Sequence, residues 1–295
     1  MNPYYLGTMF NTASIYMTAG LGACFSLKSG DFNLGGEGQI YAGGLTCALL
    51  INLLGSRLHF PPFIATGISL AAAFLISSLV TLLSTLLKKF KNADFLLTSF
   101  IISAAVIPII DGLIAGPLRG NTGNLLATVF IPASSRFTSI LPPSTMNLSF
   151  FVIIIICIAG AFLLYKTRWG IQTCIYGKSR DFALYSGFSE NKIITGASFL
   201  SGGFHGLAGA LAVCGTYYTC HSGFYAGLGW NALSAAMIAR ANPVLLIPSS
   251  IAMSALITYS SRYALFHNFD FNIEGLIQGT ILFLISIPVV IRRKK

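Results

Sequence analysis

Apolar residues along this chain come in continuous runs of about twenty, the length of a helix that crosses a hydrocarbon core. The runs cover residues 8–27, 36–54, 63–87, 95–115, 148–165, 193–213, 243–265 and 274–291, with a shorter one at 228–240. A closed barrel would instead alternate over segments of about ten residues. Polar breaks separate the runs. Lys28, Asp31 and a glycine turn follow the first, and Arg57 with Pro61-Pro62 follows the second. Lys88, Lys89 and Lys91 end the third. Residues 116–147 form the longest break, with Pro117, Pro132, Pro142 and Pro143 among many Ser, Thr and Asn, and predict an external loop with room for a short helix. Residues 166–192 are a basic hydrophilic segment. The pattern predicts an all-α polytopic membrane protein of about nine transmembrane helices. The run at 228–240 is short for a full crossing, or re-entrant.

Composition supports that class. Of 295 residues, 55% are hydrophobic and only 9% charged, against about 25% charged in soluble domains. Most of the surface must therefore meet lipid or protein. The net charge of +10 is not a nucleic-acid signature, because the basic residues sit between the runs, where they set topology. The positive-inside rule puts the clusters at 88–91, 166–192 and 292–295 on the cytoplasmic side, with Lys28 and Arg240. Arg57, Arg119, Arg136 and Arg262 then fall outside, the N-terminus is outside and the C-terminus is cytoplasmic. The opening MNPYYLGTMF lacks a basic n-region, so the first run is expected to stay as a helix rather than be cleaved. Cys24, Cys47 and Cys157 lie in apolar runs and Cys174 in the basic segment, as small buried side chains do. Cys214 and Cys220 are close enough in sequence to pair at the outer face.

The chemistry worth following starts at FNLGGEGQ, residues 32–39. Glu37 stands among Gly35, Gly36 and Gly38, and an acid at the bilayer centre costs about 2.5–3.5 kcal/mol on insertion scales. Three readings stay open: it caps its own helix, it pairs with Arg240, or it lies on a transport path. Asp111 and Glu274 fall near run ends and read as helix-end markers. Gly202 and Gly206, with Gly203 and Gly209 beside them, form a small-residue face for close helix packing. His205 within it is expected to bond a neighbour. Gly20-Leu21-Gly22 is echoed by Gly227-Leu228-Gly229, as in transporters built from repeated halves.

Enzyme signatures are missing. Ser201-Gly202 and His205 share one helix, and the sequence has no H-E-x-x-H, no Cys/His zinc spacing and no phosphate loop. No catalytic residue, metal or cofactor is expected, and any ATP hydrolysis would come from another chain. Residues 167–188 predict a short helix at 179–186, capped by Ser179 or Asp181, with Phe182, Tyr185 and Phe188 as an apolar stripe. Such a helix lies on the bilayer or docks a cytoplasmic partner.

FNLGGEGQ resembles the F-N-I-G-x-E-G-Q signature of ABC-transporter permeases of the ribose and branched-chain amino acid superfamily, in its nucleoside-importer branch. Thr167-x-Trp169-Gly170, then Gly177, Ala183 and Gly187, is similar to that family's coupling segment. Thr173-Cys174 departs from the usual Arg-Ala there, and Lys178-Ser179 from Glu-Asn. Leu207-Ala208-Gly209 and GLGWNALSAAMIARANP at 227–243 are similar to two further family stretches. The resemblance implies a type II ABC importer permease fold, one transmembrane domain over residues 1–295, in a bacterial inner membrane. It implies a path for a nucleoside, with a sugar, an amino acid or an ion-coupled carrier as alternatives. Asn33, Glu37, Gln39, Trp230 and Asn231 are the candidate path residues. The implied partners are a second permease, itself or a homologue, an external substrate-binding lipoprotein, and ATPase subunits. The ATPase subunits would dock through Gly177, Arg180, Asp181, Ala183, Tyr185 and Gly187.

Overall fold

The computed structural model describes residues 3–121 and 123–266, together with 275–276, 279–280 and 283. Ten α-helices run through the described residues in chain order: α1 Pro3–Ser29, α2 Gly36–Ile51, α3 Pro62–Lys91, α4 Phe95–Ala115, α5 Ser149–Lys166, α6 Arg168–Lys178, α7 Arg180–Tyr185, α8 Glu190–Ala212, α9 Leu228–Ile238 and α10 Pro243–Phe266. A π-helical turn extends α2 through Asn52–Arg57, and another extends α8 through Val213–Tyr217.

Local chemistry sets several boundaries. Pro61 and Pro62 open α3, where a missing N–H costs nothing, and Asn92 in a left-handed conformation closes it. Asp94 caps α4 by accepting from the Leu96 and Leu97 backbone amides. Thr167 caps α6 by accepting from the Gly170 amide.

Among the described residues, six helical segments are long and apolar enough to cross a membrane: Gly36–Arg57, Pro62–Lys91, Phe95–Ala115, Ser149–Lys166, Glu190–Tyr217 and Pro243–Ala264. Three of the nine expected runs are not among these six. Helix α1 is long, but its polar content keeps it out of that set. Every residue from Ala13 to Ser26 is buried, so it needs no lipid-facing stripe. Helix α9 has 11 residues, about 16 Å of rise against a core of about 30 Å. The expected run at 274–291, with Glu274, and the basic cluster at 292–295 lie outside the described residues apart from the short stretches named above.

The core is a close-packed group in which α8 meets α1, α2 and α3. Helix α3 presents Ser69, Ala73, Ser77, Thr81 and Ser84 as a buried small-residue face. Gly202 and Gly206 of α8 fit against Ser77 and Thr81, with Ala73 also beside Gly206. Gly43 of α2 rests directly on the Gly206 backbone, an approach that only glycine allows. Large apolar side chains point the other way, including Leu79 and Leu83 of α3, Ile101 and Ile109 of α4, and Ile155 and Phe162 of α5.

The two ends of the bundle differ. Lys28, Lys88, Lys89, Arg180 and Arg240 gather at one end: Lys28 donates to the Arg240 carbonyl, and Lys88, Lys89 and Arg180 line one cavity. The long loop after α4 closes the opposite end. It contains a 3-10 turn at Ala133–Ser135 and adds irregular pairing, with Thr128 N–H donating to Cys220 and Ile131 N–H to Tyr218. The six cysteines are all free. Cys214 lies beside Cys47, with 3.6 Å between sulfurs, rather than pairing with Cys220.

Candidate functional site

The FNLGGEGQ turn lies inside the bundle, not at its surface. Gly36, where α2 begins, abuts the ring of His205, halfway along the Glu190–Tyr217 segment. A helix that starts there leaves backbone amides to be satisfied without water. Helix α4 supplies the acceptors: Leu34 N–H donates to Ser99 Oγ and Gly38 N–H to Ser103 Oγ. Asn33 and Gln39 form a reciprocal amide pair at 2.9 and 3.1 Å, and Asn33 also donates to Ser201 Oγ. Both side chains are buried and spent on these bonds. His205 is buried, with Nδ1 2.7 Å from the Ser201 carbonyl.

Glu37 has a partner that sequence reasoning did not find. Its carboxylate accepts from the backbone N–H of Gly227, 2.8 Å away, at the N-terminus of α9. It therefore caps α9 while standing in the first turn of its own helix, and a carboxylate is stabilised by the positive end of a helix. The expected pair with Arg240 does not form. The two ion pairs among the described residues are Lys88–Asp31 and Arg180–Glu190, and Arg240 sits at the far end of α9.

Asn33, Glu37, His205, Gly229 and Trp230 surround a crevice of about 10 Å³, room for about one water. Of the five candidate path residues, Asn33, Glu37 and Trp230 line the crevice. Gln39 does not, and Asn231 donates to Tyr16 on α1 instead. The Asn231 carbonyl oxygen is buried without a partner.

Toward the loop-covered end, one helical turn beyond Glu37, stands Tyr41. Its hydroxyl donates to Asp111 Oδ1 at 2.6 Å, and Ser222 donates to the same oxygen at 2.7 Å. Tyr225 lies against Tyr41, with ring centroids 4.5 Å apart. Asp111 is thus more than the helix-end marker its position suggested: it joins α4 to α2 and to the segment before α9. Tyr41, Ser222 and Tyr225 were missed. The one available signal was the four-residue spacing of Glu37 and Tyr41, which puts both on one helix face.

At the basic end, α7 at Arg180–Tyr185 is the short helix expected at 179–186, and a further helix, α6, precedes it. Gly177 packs on the backbone of Lys28 and Gly30, where a Cβ would collide. Arg180 pairs with Glu190 at 2.9 Å, and Tyr176 donates to the same carboxylate oxygen. Ala183 is buried with Tyr176, Ile193 and Ile194, and Phe188 packs against that cluster. Asp181 is exposed, Tyr185 is 94% exposed, and Gly187 has φ +78° with open space around it. The expected stripe is therefore split, with Phe182 and Tyr185 outward and Phe188 inward. Ser179 holds the N-cap position of α7 without a side-chain bond. Burial, then the Glu190 carboxylate, raises the Tyr176 hydroxyl pKa above its ordinary value. Burial raises the Asp31 carboxyl against the opposing pull of Lys88. A cavity of about 580 Å³ opens here, lined by Asp31, Lys88, Asp94, Arg180 and Glu190 among others. Among the described residues no cluster of His, Cys, Asp and Glu is arranged to hold a metal ion.

The geometry offers a small polar crevice inside an apolar helical bundle and, at one end, a short helix α7 with an exposed face. A family model described as "Branched-chain amino acid transport system / permease component" matches residues 5–286. The chain is 33% identical over 291 residues to the probable riboflavin import permease protein RfuC of Treponema pallidum (strain Nichols), covering 96% of this chain and 74% of that one. It is 24% identical over 239 residues to the guanosine ABC transporter permease protein NupP of Bacillus subtilis (strain 168), covering 80% and 67%. It is 24% identical over 286 residues to a glucose ABC transporter permease protein of Haloferax volcanii, covering 91% and 72%. No solved structure matches.

Proposed function

Because the chain belongs to the family of permease components of branched-chain amino acid transport systems, we propose that it forms one half of a membrane path for a nucleoside. As an ABC importer permease it works with an ATPase and a substrate-binding protein in separate chains, and is itself no enzyme. Our finer reading is one permease domain over residues 1–295 in a bacterial inner membrane, facing a second permease, itself or a homologue. The binding protein is a lipoprotein, and the basic end faces the cytoplasm, as the positive-inside rule prefers. ATPase subunits dock on α7, with Tyr185 and Asp181 outward and Arg180, Ala183 and Gly187 fixing its pose. Gly177 carries the motion to the turn at Gly30.

One observation carries the path. Glu37, Asn33 and Trp230 close a crevice of about 10 Å³ where two interior helix starts meet. Polar groups in an apolar surround, at the point where helices begin inside the membrane, are where transporters hold cargo. Gln39 and Asn231 support this wall from behind. Opening it requires α9 and its preceding segment to move away from α2, which ATP-driven rocking of two permeases would supply.

The cargo class rests on the relatives named for guanosine and riboflavin. Both molecules are fused nitrogen heterocycles carrying a hydroxylated five-carbon group, a ribose ring in guanosine and a ribityl chain in riboflavin. A second reading, riboflavin itself, is favoured by the 33% identity to the Treponema protein. The test is uptake into vesicles holding this chain with its partner permease, ATPase and binding protein, with and without internal ATP. Labelled guanosine, riboflavin and ribose are compared. ATP-dependent guanosine uptake supports the nucleoside reading, and riboflavin uptake alone supports the second. Uptake of ribose alone would refute both, and uptake driven by an ion gradient without ATP would remove the coupling to an ATPase.

A further inference from the structure

We propose that Asp111, with Glu37 and the ring of Tyr225, forms the site that reads the cargo's sugar or polyol hydroxyls. The proposal deepens the path reading above and rests on it.

Three observations place the site. First, the groups form one column. Glu37 and Tyr41 are a turn apart on α2, Tyr41 and Ser222 both donate to Asp111 Oδ1, and Tyr225 lies against Tyr41. The column starts at the Glu37 constriction and runs toward the loop-covered end. Second, each carboxylate gives one oxygen to the protein and keeps the other. Glu37 Oε1 takes the Gly227 amide and Asp111 Oδ1 takes two hydroxyls, while Oε2 and Oδ2 make no hydrogen bond among the described residues. Neither acid has a cation beside it among the described residues. Third, both acids are half-buried, with Ser222 exposed beside Asp111, so the free oxygens are reachable.

A carboxylate oxygen with no partner in a membrane protein is costly to keep, and such residues default to function. The ligand it suits carries hydroxyl donors, because an O–H to carboxylate bond is among the stronger neutral-to-charged contacts. Two acids spaced along a column suit a chain or ring of several hydroxyls. Tyr41 lies tilted against the half-buried Tyr225 ring, and for a planar base or flavin stacking on such a ring is the ordinary contact. Tyr41 and Ser222 position Asp111 and touch no cargo.

The experiment is equilibrium binding of labelled cargo to the purified permease–ATPase complex, without the binding protein. Four ligands are compared: guanosine and its free base guanine, and riboflavin and lumichrome, which lacks the ribityl chain. Asp111→Asn is expected to weaken the hydroxylated member of each pair about tenfold, the loss of one charge-assisted bond, and to leave guanine and lumichrome unchanged. Asp111→Glu should recover most of the loss. Tyr225→Leu should weaken both members of each pair alike, and Tyr225→Phe neither, which gives an independent reading if the Asp111 variants fail to assemble. Equal effects of Asp111→Asn on both members, no effect at all, or no binding of any ligand by the unaltered complex would overturn the site. Vesicle uptake separates the two levels. Uptake of neither guanosine nor riboflavin refutes the cargo reading beneath. Uptake with hydroxyl-independent variants refutes this site alone.

Discussion

Glu37 accepts a hydrogen bond from the backbone N–H of Gly227, 190 positions later in the chain. That bond ties the start of α2 to the start of α9 beside the small polar crevice. Charge and hydrogen bond can be separated there. The amide oxygen of Glu37→Gln still accepts from Gly227, so the complex should assemble with an unchanged melting temperature. Uptake should fall about tenfold through the lost charge. Glu37→Ala removes the cap as well and should also lower the melting temperature, a cap being worth about 1 kcal/mol. Normal uptake by the Gln variant would remove any role for the charge.

Gly177→Ala tests the link between the protruding helices and the interior turn. The added methyl meets the Lys28 carbonyl and the Gly30 amide, both backbone atoms that cannot swing aside. Overpacking of this kind costs about 1–3 kcal/mol. We expect ATP turnover to continue while uptake drops several-fold, measured on the same vesicles. Full uptake would show that Gly177 transmits nothing.

Tyr185→Asp and Gly187→Trp act at the outward face of α7. Tyr185 is 94% exposed and nothing lies near Gly187, so neither change disturbs a packed core. Gly187→Trp also forces a side chain onto a left-handed backbone. Expected results are an intact melt, weaker retention of the ATPase on membranes and ATP turnover no longer tied to uptake. An ATPase held at wild-type levels with unaltered turnover in both variants would argue against docking there.

Gly43→Ala and Gly67→Ala form a matched pair for helix packing. Gly43 touches the Gly206 backbone, whereas Gly67 has open space. The first should destabilise by about 1–3 kcal/mol through overpacking. The second should be neutral or stabilising by up to about 1 kcal/mol through helix propensity. Thermal melts in detergent read both, and equal melts would contradict the packing.

Some of this was legible in the sequence because it is local. The long runs, the long loop after α4, the glycine face at Gly202 and Gly206 and the basic clusters all rest on composition over a few turns. The short run at 228–240 was already doubtful, and the structure shows why: the chain before it is irregular, and its helix, Leu228–Ile238, has 11 residues. The rest was hidden because it depends on partners far along the chain. Nothing near Glu37 announces Gly227, and nothing near Asp111 announces Ser222. Asn33 and Gln39 looked like path residues because they are polar, but each satisfies the other. Helix α6 was overlooked because a basic segment of mixed polarity carries a weak period, and its clearest signal was the Thr167 cap.

The enclosure of α1 bears on how the protein is made. Asn11 bonds to Thr145 and Thr216, which follow it by 134 and 205 positions. Ser254 reaches the Met9 carbonyl across 245 positions. Helix α1 is therefore synthesised long before the neighbours that shield its polar side chains. During that interval it is poorly suited to bare lipid, where unsatisfied polar groups are costly. It must wait beside the insertion machinery, or beside water at the membrane edge, until α8 and α10 arrive. A release-stalled Asn11→Cys chain ending before α8 should thus leave its thiol open to a water-soluble reagent, whereas one ending after α10 should not.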